Sequence, residues 1–141
     1  MDFRDAAESG FRRYADFNGR SARSEFWYWI LFFYVIWFAV LVCLAIGAAI
    51  GGGGIGYAVF TDLAYLAFLG AFACPNIAVG IRRLHDTNRS GWWYLLSFTF
   101  LGLIPLIIWW AAQGTIGENQ YGGDPLSANQ TTVKTDEAWV S

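Results

Sequence analysis

The residues best suited to chemistry stand together in one short segment, residues 82–90, with the sequence RRLHDTNRS. His85 beside Asp86 suggests an acid–base pair, because a carboxylate can fix the tautomer of an imidazole and raise its basicity. Adjacent residues on a helix point about 100° apart, however, so the two side chains need not touch. No serine or cysteine in a recognisable nucleophile context accompanies them. We therefore favour a solvated loop anchored by arginine over an acid–base catalyst.

Arginine is the other chemically capable residue type here, and its guanidinium group binds phosphate through two parallel hydrogen bonds. A phosphate or lipid-headgroup site is therefore the better of the functional interpretations. Glu25 directly precedes the first apolar run, where we expect it to pair with Arg82, with Arg83 or with an N-terminal arginine. The candidate polar cluster has eight members: Arg20, Arg23, Glu25, Arg82, Arg83, His85, Asp86 and Arg89.

Metal and cofactor chemistry finds little support in the sequence. The chain has 1 His and 2 Cys, and Cys43 and Cys74 both lie inside apolar runs. Buried small side chains are a better interpretation of these cysteines than a disulfide or a metal pair. We predict neither a metal site nor a cofactor, and the net charge of −2 argues against a nucleic-acid partner.

The elements that must position these residues are apolar helices. Hydrophobic residues make up 56% of the 141 residues and charged residues 14%, whereas soluble domains carry about 25% charged residues. No charged side chain occurs within residues 26–61, 63–81 or 90–117. Such runs exclude an ordinary soluble enzyme and a disordered chain, and they predict an all-α integral membrane protein.

Three transmembrane helices are predicted, at about residues 26–47, 57–81 and 92–112, because a bilayer core needs about 20 apolar helical residues. The Gly-rich stretch 51–54 separates the first two. A helix from Trp92 to Trp110 would rise about 27 Å, close to the hydrocarbon thickness. This length favours a complete third span over a re-entrant hairpin, despite Gly102 and Pro105 near its middle.

The N-terminal arm has an amphipathic pattern. Apolar residues recur every three or four positions within residues 3–17, with arginines elsewhere on the helical wheel. This pattern predicts a helix that lies in the membrane interface ahead of the three spans.

Arginine also predicts the orientation. Eight of the 9 basic residues precede the first span or lie between the second and third, and two spans separate these segments. The positive-inside rule makes their shared face cytoplasmic. We expect a cytoplasmic N-terminus, an outer C-terminus and a polar, unstructured tail at residues 127–141.

Three sequence motifs resemble the domain of unknown function 805 family, which comprises small bacterial inner-membrane proteins. They are GRSARSEFW at 19–27, RRLHDTNRSGWW at 82–93 and GTIGENQYGGDP at 114–125. The resemblance covers about residues 11–126 and implies one membrane domain, 1–126, in a bacterial inner membrane, without an activity. The predicted topology separates the third motif from the other two. Either it has its own outer role, or the third span does not cross.

The leading hypothesis is a non-enzymatic membrane protein that binds lipid or protein partners. Its expected partners are the bilayer, anionic lipid headgroups, and a second copy or another membrane protein. One alternative is a small transporter or channel subunit with a polar path along Asn76, Ser97 and Thr99. The other is a lipid-headgroup enzyme that uses His85 and Asp86.

Overall fold

The computed structural model describes residues 3–127. The polar tail predicted at 127–141, with Lys134, lies outside these residues apart from Ser127. The described chain is helical, as expected, and its only β-type pairing is an isolated bridge between Asn119 and Gly122. The elements in chain order are α1 (Phe3–Arg12), α2 (Arg23–Gly51), α3 (Ile55–Asp86), a 3-10 helix (Gly91–Phe98) and α4 (Leu103–Ala111).

Helices α2 and α3 correspond to the first two predicted spans. They contain 29 and 32 residues, with mean hydropathies of 2.7 and 1.7 over their most apolar windows, and both are long and apolar enough to cross a membrane. Gly52 and Gly53 connect them with φ angles of +74° and +64°. L-residues with a Cβ rarely adopt this left-handed region. The Gly-rich stretch therefore forms the tight reversal between the two helices.

Residues 82–86 were expected in a loop, and the structure corrects this. They form the last turns of α3, which ends at Asp86. Asn88 then adopts φ +56°, and the Arg89 N–H donates to the Leu84 carbonyl at 2.9 Å. This geometry closes the last turn, so α3 includes Arg82, Arg83 and Asp86 and does not end before them.

The third predicted span is not a continuous helix, which is the main correction to the sequence-based expectation. The 3-10 helix ends at Phe98, and a turn follows in which the Gly102 N–H donates to the Thr99 carbonyl at 3.1 Å. A Cβ at Gly102 would collide with the Leu96 carbonyl, so the turn depends on glycine. Helix α4 then begins at Leu103.

The chain reverses direction through this turn, because residues near the two ends of the segment meet. The rings of Trp93 and Trp109 lie 5.5 Å apart, centroid to centroid. The start of the segment packs against α3 next to His85, and its end receives a hydrogen bond of 3.0 Å from Arg83 Nε to the Trp110 carbonyl. We call residues 91–112 the returning segment, since they begin and end at the charged end of α3.

Helix α1 ends at Arg12, five residues before the boundary predicted from the sequence. It packs across α2, with Gly10 against the Trp29 ring so closely that a Cβ would collide. Phe11 contacts the rings of Trp29 and Phe72 at 5.4 and 6.0 Å. The Tyr14 hydroxyl donates to the Ala71 carbonyl at 2.6 Å. The arm is therefore held on α2 and α3, and its position in a membrane interface stays a prediction.

The buried core lies at the charged end of the helix pair. It contains Phe26, Trp29 and Val79, with partly buried residues around them, among them Trp110. Trp29 Nε1 donates to Asn76 Oδ1 at 2.8 Å and joins α2 to α3. Towards the Gly-rich turn, large apolar side chains are exposed, such as Phe38 at 65%. An exposed apolar surface of this kind suits a lipid environment.

Candidate functional site

The site forms where the extended segment before α2 meets the last turns of α3. The Ser21 N–H donates to the Arg82 carbonyl at 3.2 Å, which aligns the two segments. Arg20 therefore comes to lie beside the side chains of Arg83 and Asp86. These segments carry the first and second sequence motifs, so the two motifs are in direct contact.

Asp86 is the centre of this contact. Arg20 Nε donates to its Oδ1 at 2.9 Å, and Arg83 Nη1 donates to its Oδ2. Arg20 and Asp86 are 5% and 3% exposed, and Arg83 is fully buried. A buried carboxylate shared by two guanidinium groups is well compensated, because both of its oxygens accept charge-assisted hydrogen bonds.

The third motif lies on the same centre. Arg20 donates to the carbonyls of Thr115, Gly117 and Gly122, and the Thr115 N–H donates to the Asp86 carbonyl at 2.8 Å. A Cβ at Gly114 would collide with the Asp86 carboxylate. The three motifs therefore meet at Asp86, and we call this assembly the Asp86 platform.

Arg82 and Glu25 form a second buried pair next to the platform. Arg82 Nη2 lies 3.6 Å from Glu25 Oε1, and Ser9 Oγ donates to the same oxygen at 2.7 Å. Arg82 is fully buried, and its three guanidinium nitrogens have no hydrogen-bond partner among residues 3–127. Glu25 thus supplies charge compensation to Arg82 without a hydrogen bond.

His85 does not form the acid–base pair considered from the sequence. Its Nδ1 lies 3.2 Å from the Gly19 carbonyl, and its ring stacks on Tyr121 with a centroid distance of 3.9 Å and an interplanar angle of 2°. Asn119 Nδ2 donates to the His85 carbonyl at 3.0 Å. The Asp86 carboxylate is engaged by Arg20 and Arg83 and does not pair with the imidazole. The stack of His85 on Tyr121 and the hydrogen bond from Asn119 instead hold the third motif against the end of α3.

Arg23 and Arg89 stand apart from the other six members of the predicted cluster. Arg23 is exposed at the start of α2, where it borders an open groove of about 520 Å³. The Arg89 guanidinium carbon lies 4.2 Å above the centre of the Trp109 ring, a cation–π contact with the returning segment. Neither arginine pairs with Asp86 or Glu25.

Several residues of the site were missed in the sequence, chiefly because they act through the backbone. The backbone carbonyls that accept hydrogen bonds from Arg20 cannot be recognised from residue types. The glycines of the third motif do indicate a segment that packs closely. Asp124 was also missed. Its pKa is lowered because the N–H groups of Leu126 and Gly117 donate to its carboxylate, and it thereby closes the loop of the third motif.

Metal ligands are not grouped in the part of the chain that the structure describes. No set of three or more His, Cys, Asp or Glu side chains there could hold a metal ion. Cys43 and Cys74 are both free thiols.

Comparisons with known proteins agree with the membrane character of the fold. A family model described as "Protein of unknown function (DUF805)" matches residues 14–123. The inner membrane protein YhaI of Escherichia coli (strain K12) is 38% identical over 120 residues, which cover 83% of this chain and 92% of YhaI. The inner membrane protein YhaH of the same organism is 38% identical over 117 residues, with coverages of 81% and 90%. No solved structure matches the chain.

Proposed function

The chain belongs to the DUF805 family, and we propose that it is a non-enzymatic inner-membrane protein that binds anionic lipid headgroups around the Asp86 platform. The observation that carries this proposal is the group of exposed arginines, Arg4, Arg12 and Arg23, at the end of the molecule that holds the platform. There Asp86, engaged by Arg20 and Arg83, joins the three polar motifs.

The proposal includes a membrane topology with two crossings. Helices α2 and α3 cross the bilayer, and the returning segment enters and leaves on one side. Support comes from the contact of Trp93 with Trp109 and from the hydrogen bond of Arg83 to the Trp110 carbonyl. The positive-inside rule then makes the platform cytoplasmic, together with the N-terminus and the third motif.

Headgroup binding is favoured by the cations at this end of the molecule. The eight arginines lie either before the apolar part of α2 or at and just after the end of α3, and Arg4, Arg12 and Arg23 among them are exposed. Arg12 pairs with Glu8 at 3.6 Å, but both side chains are more than two-thirds exposed, so the pair is weak. Each arginine near an anionic leaflet contributes about 1 kcal/mol of attraction.

A non-enzymatic role is favoured by the partners of the two candidate catalytic residues. The Nδ1 of His85 faces the Gly19 carbonyl, and its ring is stacked on Tyr121. Both oxygens of Asp86 accept from arginine, so Asp86 is not available to orient the imidazole or to raise its basicity. Binding of a protein partner or of a second copy stays a prediction.

The test is a lipid titration of the purified full chain, followed by native mass spectrometry. We expect phosphatidylglycerol to bind more tightly than phosphatidylethanolamine and the difference to shrink as salt is added. Exchanging Arg4→Gln and Arg12→Gln together should weaken the phosphatidylglycerol preference by about fivefold for each arginine. The control is Asp62→Asn, at the opposite end of α3. Equal affinity for both lipids at low salt would contradict the proposal.

A further inference from the structure

A cleft of about 190 Å³ lies between α2, α3 and the returning segment, beneath the Asp86 platform. We propose that this cleft holds the glycerol ester and the adjoining part of one acyl chain of a single phospholipid. The inference rests on the proposed membrane placement of the returning segment, and it is independent of the headgroup preference.

The shape of the cleft suits an acyl chain that runs parallel to the spans. Phe26, Ile30 and Phe33 line one wall, and their spacing of four and three residues puts them on one face of α2. Trp110 lines the opposite wall, on the returning segment, and its ring centroid lies 5.1 Å from that of Phe26. Its Nε1 donates to the Gly80 carbonyl at 3.2 Å, so the indole is anchored and the cleft keeps its form.

Two unused hydrogen-bond donors identify the occupant as more than a hydrocarbon. Asn76 Oδ1 accepts from Trp29, which leaves the Asn76 amide NH₂ without a partner among the described residues. The Tyr94 hydroxyl also has none there. Both residues line the cleft, and neither donor is among the fully enclosed unpartnered groups. Both donors are therefore accessible, and an ester carbonyl is the acceptor that a glycerolipid offers at this depth.

The depth of these donors fits the ester region. Asn76 lies six residues before Arg82 along α3, or about 9 Å at 1.5 Å per residue. The charged end of α3 belongs at the level of the headgroups under the proposed topology. A polar group slightly deeper meets the glycerol esters, which lie between the headgroups and the hydrocarbon core.

The headgroup end of the same lipid fits the groove that Arg23 borders. Arg23 and Ser24 precede Phe26 on α2, and Gln113 follows Trp110, so the groove continues the two walls of the cleft about one turn further out. Arg23 has no ion-pair partner in the described chain and is free to bind the phosphate. Two carboxylates also border the groove. Asp86 is compensated by Arg20 and Arg83, and Asp124 accepts two backbone N–H groups.

The experiment titrates phosphatidylethanolamine, a phospholipid without net charge, into the delipidated full chain and counts bound lipid by native mass spectrometry. We expect one tightly held lipid per chain. Tyr94→Phe and Arg23→Gln should each weaken its binding by about threefold to tenfold, because each removes one hydrogen-bonding partner. The controls Tyr28→Phe, on the exposed side of α2, and Asp62→Asn, an exposed charge at the opposite end of α3, should bind as the wild type does.

The outcomes separate this inference from the proposed function. Loss of affinity in Tyr94→Phe without any phosphatidylglycerol preference supports the cleft and overturns the headgroup proposal. A phosphatidylglycerol preference with wild-type lipid retention in both Tyr94→Phe and Arg23→Gln overturns the cleft. A wild-type chain that retains no stoichiometric lipid also overturns it. Tyr94→Phe should melt as the wild type does, since the hydroxyl has no partner within residues 3–127.

Discussion

Arg20 donates a hydrogen bond of 2.9 Å from Nε to Oδ1 of Asp86, across 66 positions of sequence. Both side chains are buried, and the same guanidinium group also reaches three carbonyls of the third motif. A single side chain thus ties the start of α2, the end of α3 and the segment after α4. The stability of the polar end of the molecule should depend on this contact.

Replacing Asp86 with asparagine should destabilise the protein strongly. The change leaves the buried guanidinium groups of Arg20 and Arg83 without a counter-charge, and breaking a buried ion pair costs about 3–5 kcal/mol. The free energy of unfolding in mixed micelles measures the effect. The matched control is Asp62→Asn, because Asp62 is exposed and should change stability by less than about 0.5 kcal/mol. Equal stability of the two variants would contradict the central role of Asp86.

Gly114→Ala should also destabilise the platform. The added Cβ would collide with the Asp86 carboxylate, and overpacking at a rigid site costs about 1–3 kcal/mol. Gly123→Ala is the control in the same motif, because nothing lies within 4 Å of its added Cβ. Thermal melting of both variants in detergent checks the prediction, which fails if Gly114→Ala melts at the wild-type temperature.

Either partner of the Arg82–Glu25 pair should be costly to remove alone. Arg82→Met leaves the buried Glu25 carboxylate without its counter-charge, and Glu25→Gln leaves the buried Arg82 charge uncompensated, so each should lower the free energy of unfolding by about 3–5 kcal/mol. The double variant Arg82→Met, Glu25→Gln removes both charges and should lose much less than the sum of the two single losses. All three variants are measured as for Asp86→Asn. Losses that simply add in the double variant would contradict the pairing of the two residues.

The loop of the third motif should loosen in acid. Hydrogen bonds from Gly117 and Leu126 lower the pKa of Asp124, so its ionised form is favoured in the folded protein. The stabilisation is present above the ordinary pKa of 3.8 and is lost as the pH falls through the lowered folded-state pKa. Amide exchange at Gly117, corrected for its intrinsic pH dependence, should show protection that disappears in strong acid. In Asp124→Asn this pH dependence should be absent, and its persistence would contradict the assignment.

Much of the fold could be predicted from the sequence. Long charge-free runs and the Gly-rich break predict α2 and α3, because such patterns depend only on local composition. The pairing of Glu25 with Arg82 was also among the expected contacts, since Glu25 precedes a span on the side where the arginines lie.

The path of the returning segment could not be predicted in the same way. Trp and Tyr favour the membrane boundary but do not distinguish its two sides, so Trp93 and Trp109 suit a crossing and a return equally well. Gly102 and Pro105 in the middle of the segment are compatible both with a crossing helix and with a reversal. The deciding contact is the hydrogen bond from Arg83 to the Trp110 carbonyl, and a backbone acceptor leaves no trace in residue types.

The most direct test of the account is the side of the membrane on which the third motif lies. In a Cys43→Ala, Cys74→Ala background, Gly123→Cys and Gly54→Cys each introduce one thiol, at positions where an added Cβ meets nothing within 4 Å. A membrane-impermeant maleimide is applied to spheroplasts, intact or permeabilised. The account predicts that Gly54→Cys is labelled in both samples and Gly123→Cys only after permeabilisation. Labelling of both Gly54→Cys and Gly123→Cys in intact spheroplasts would mean that residues 91–112 cross the bilayer, and it would contradict the account.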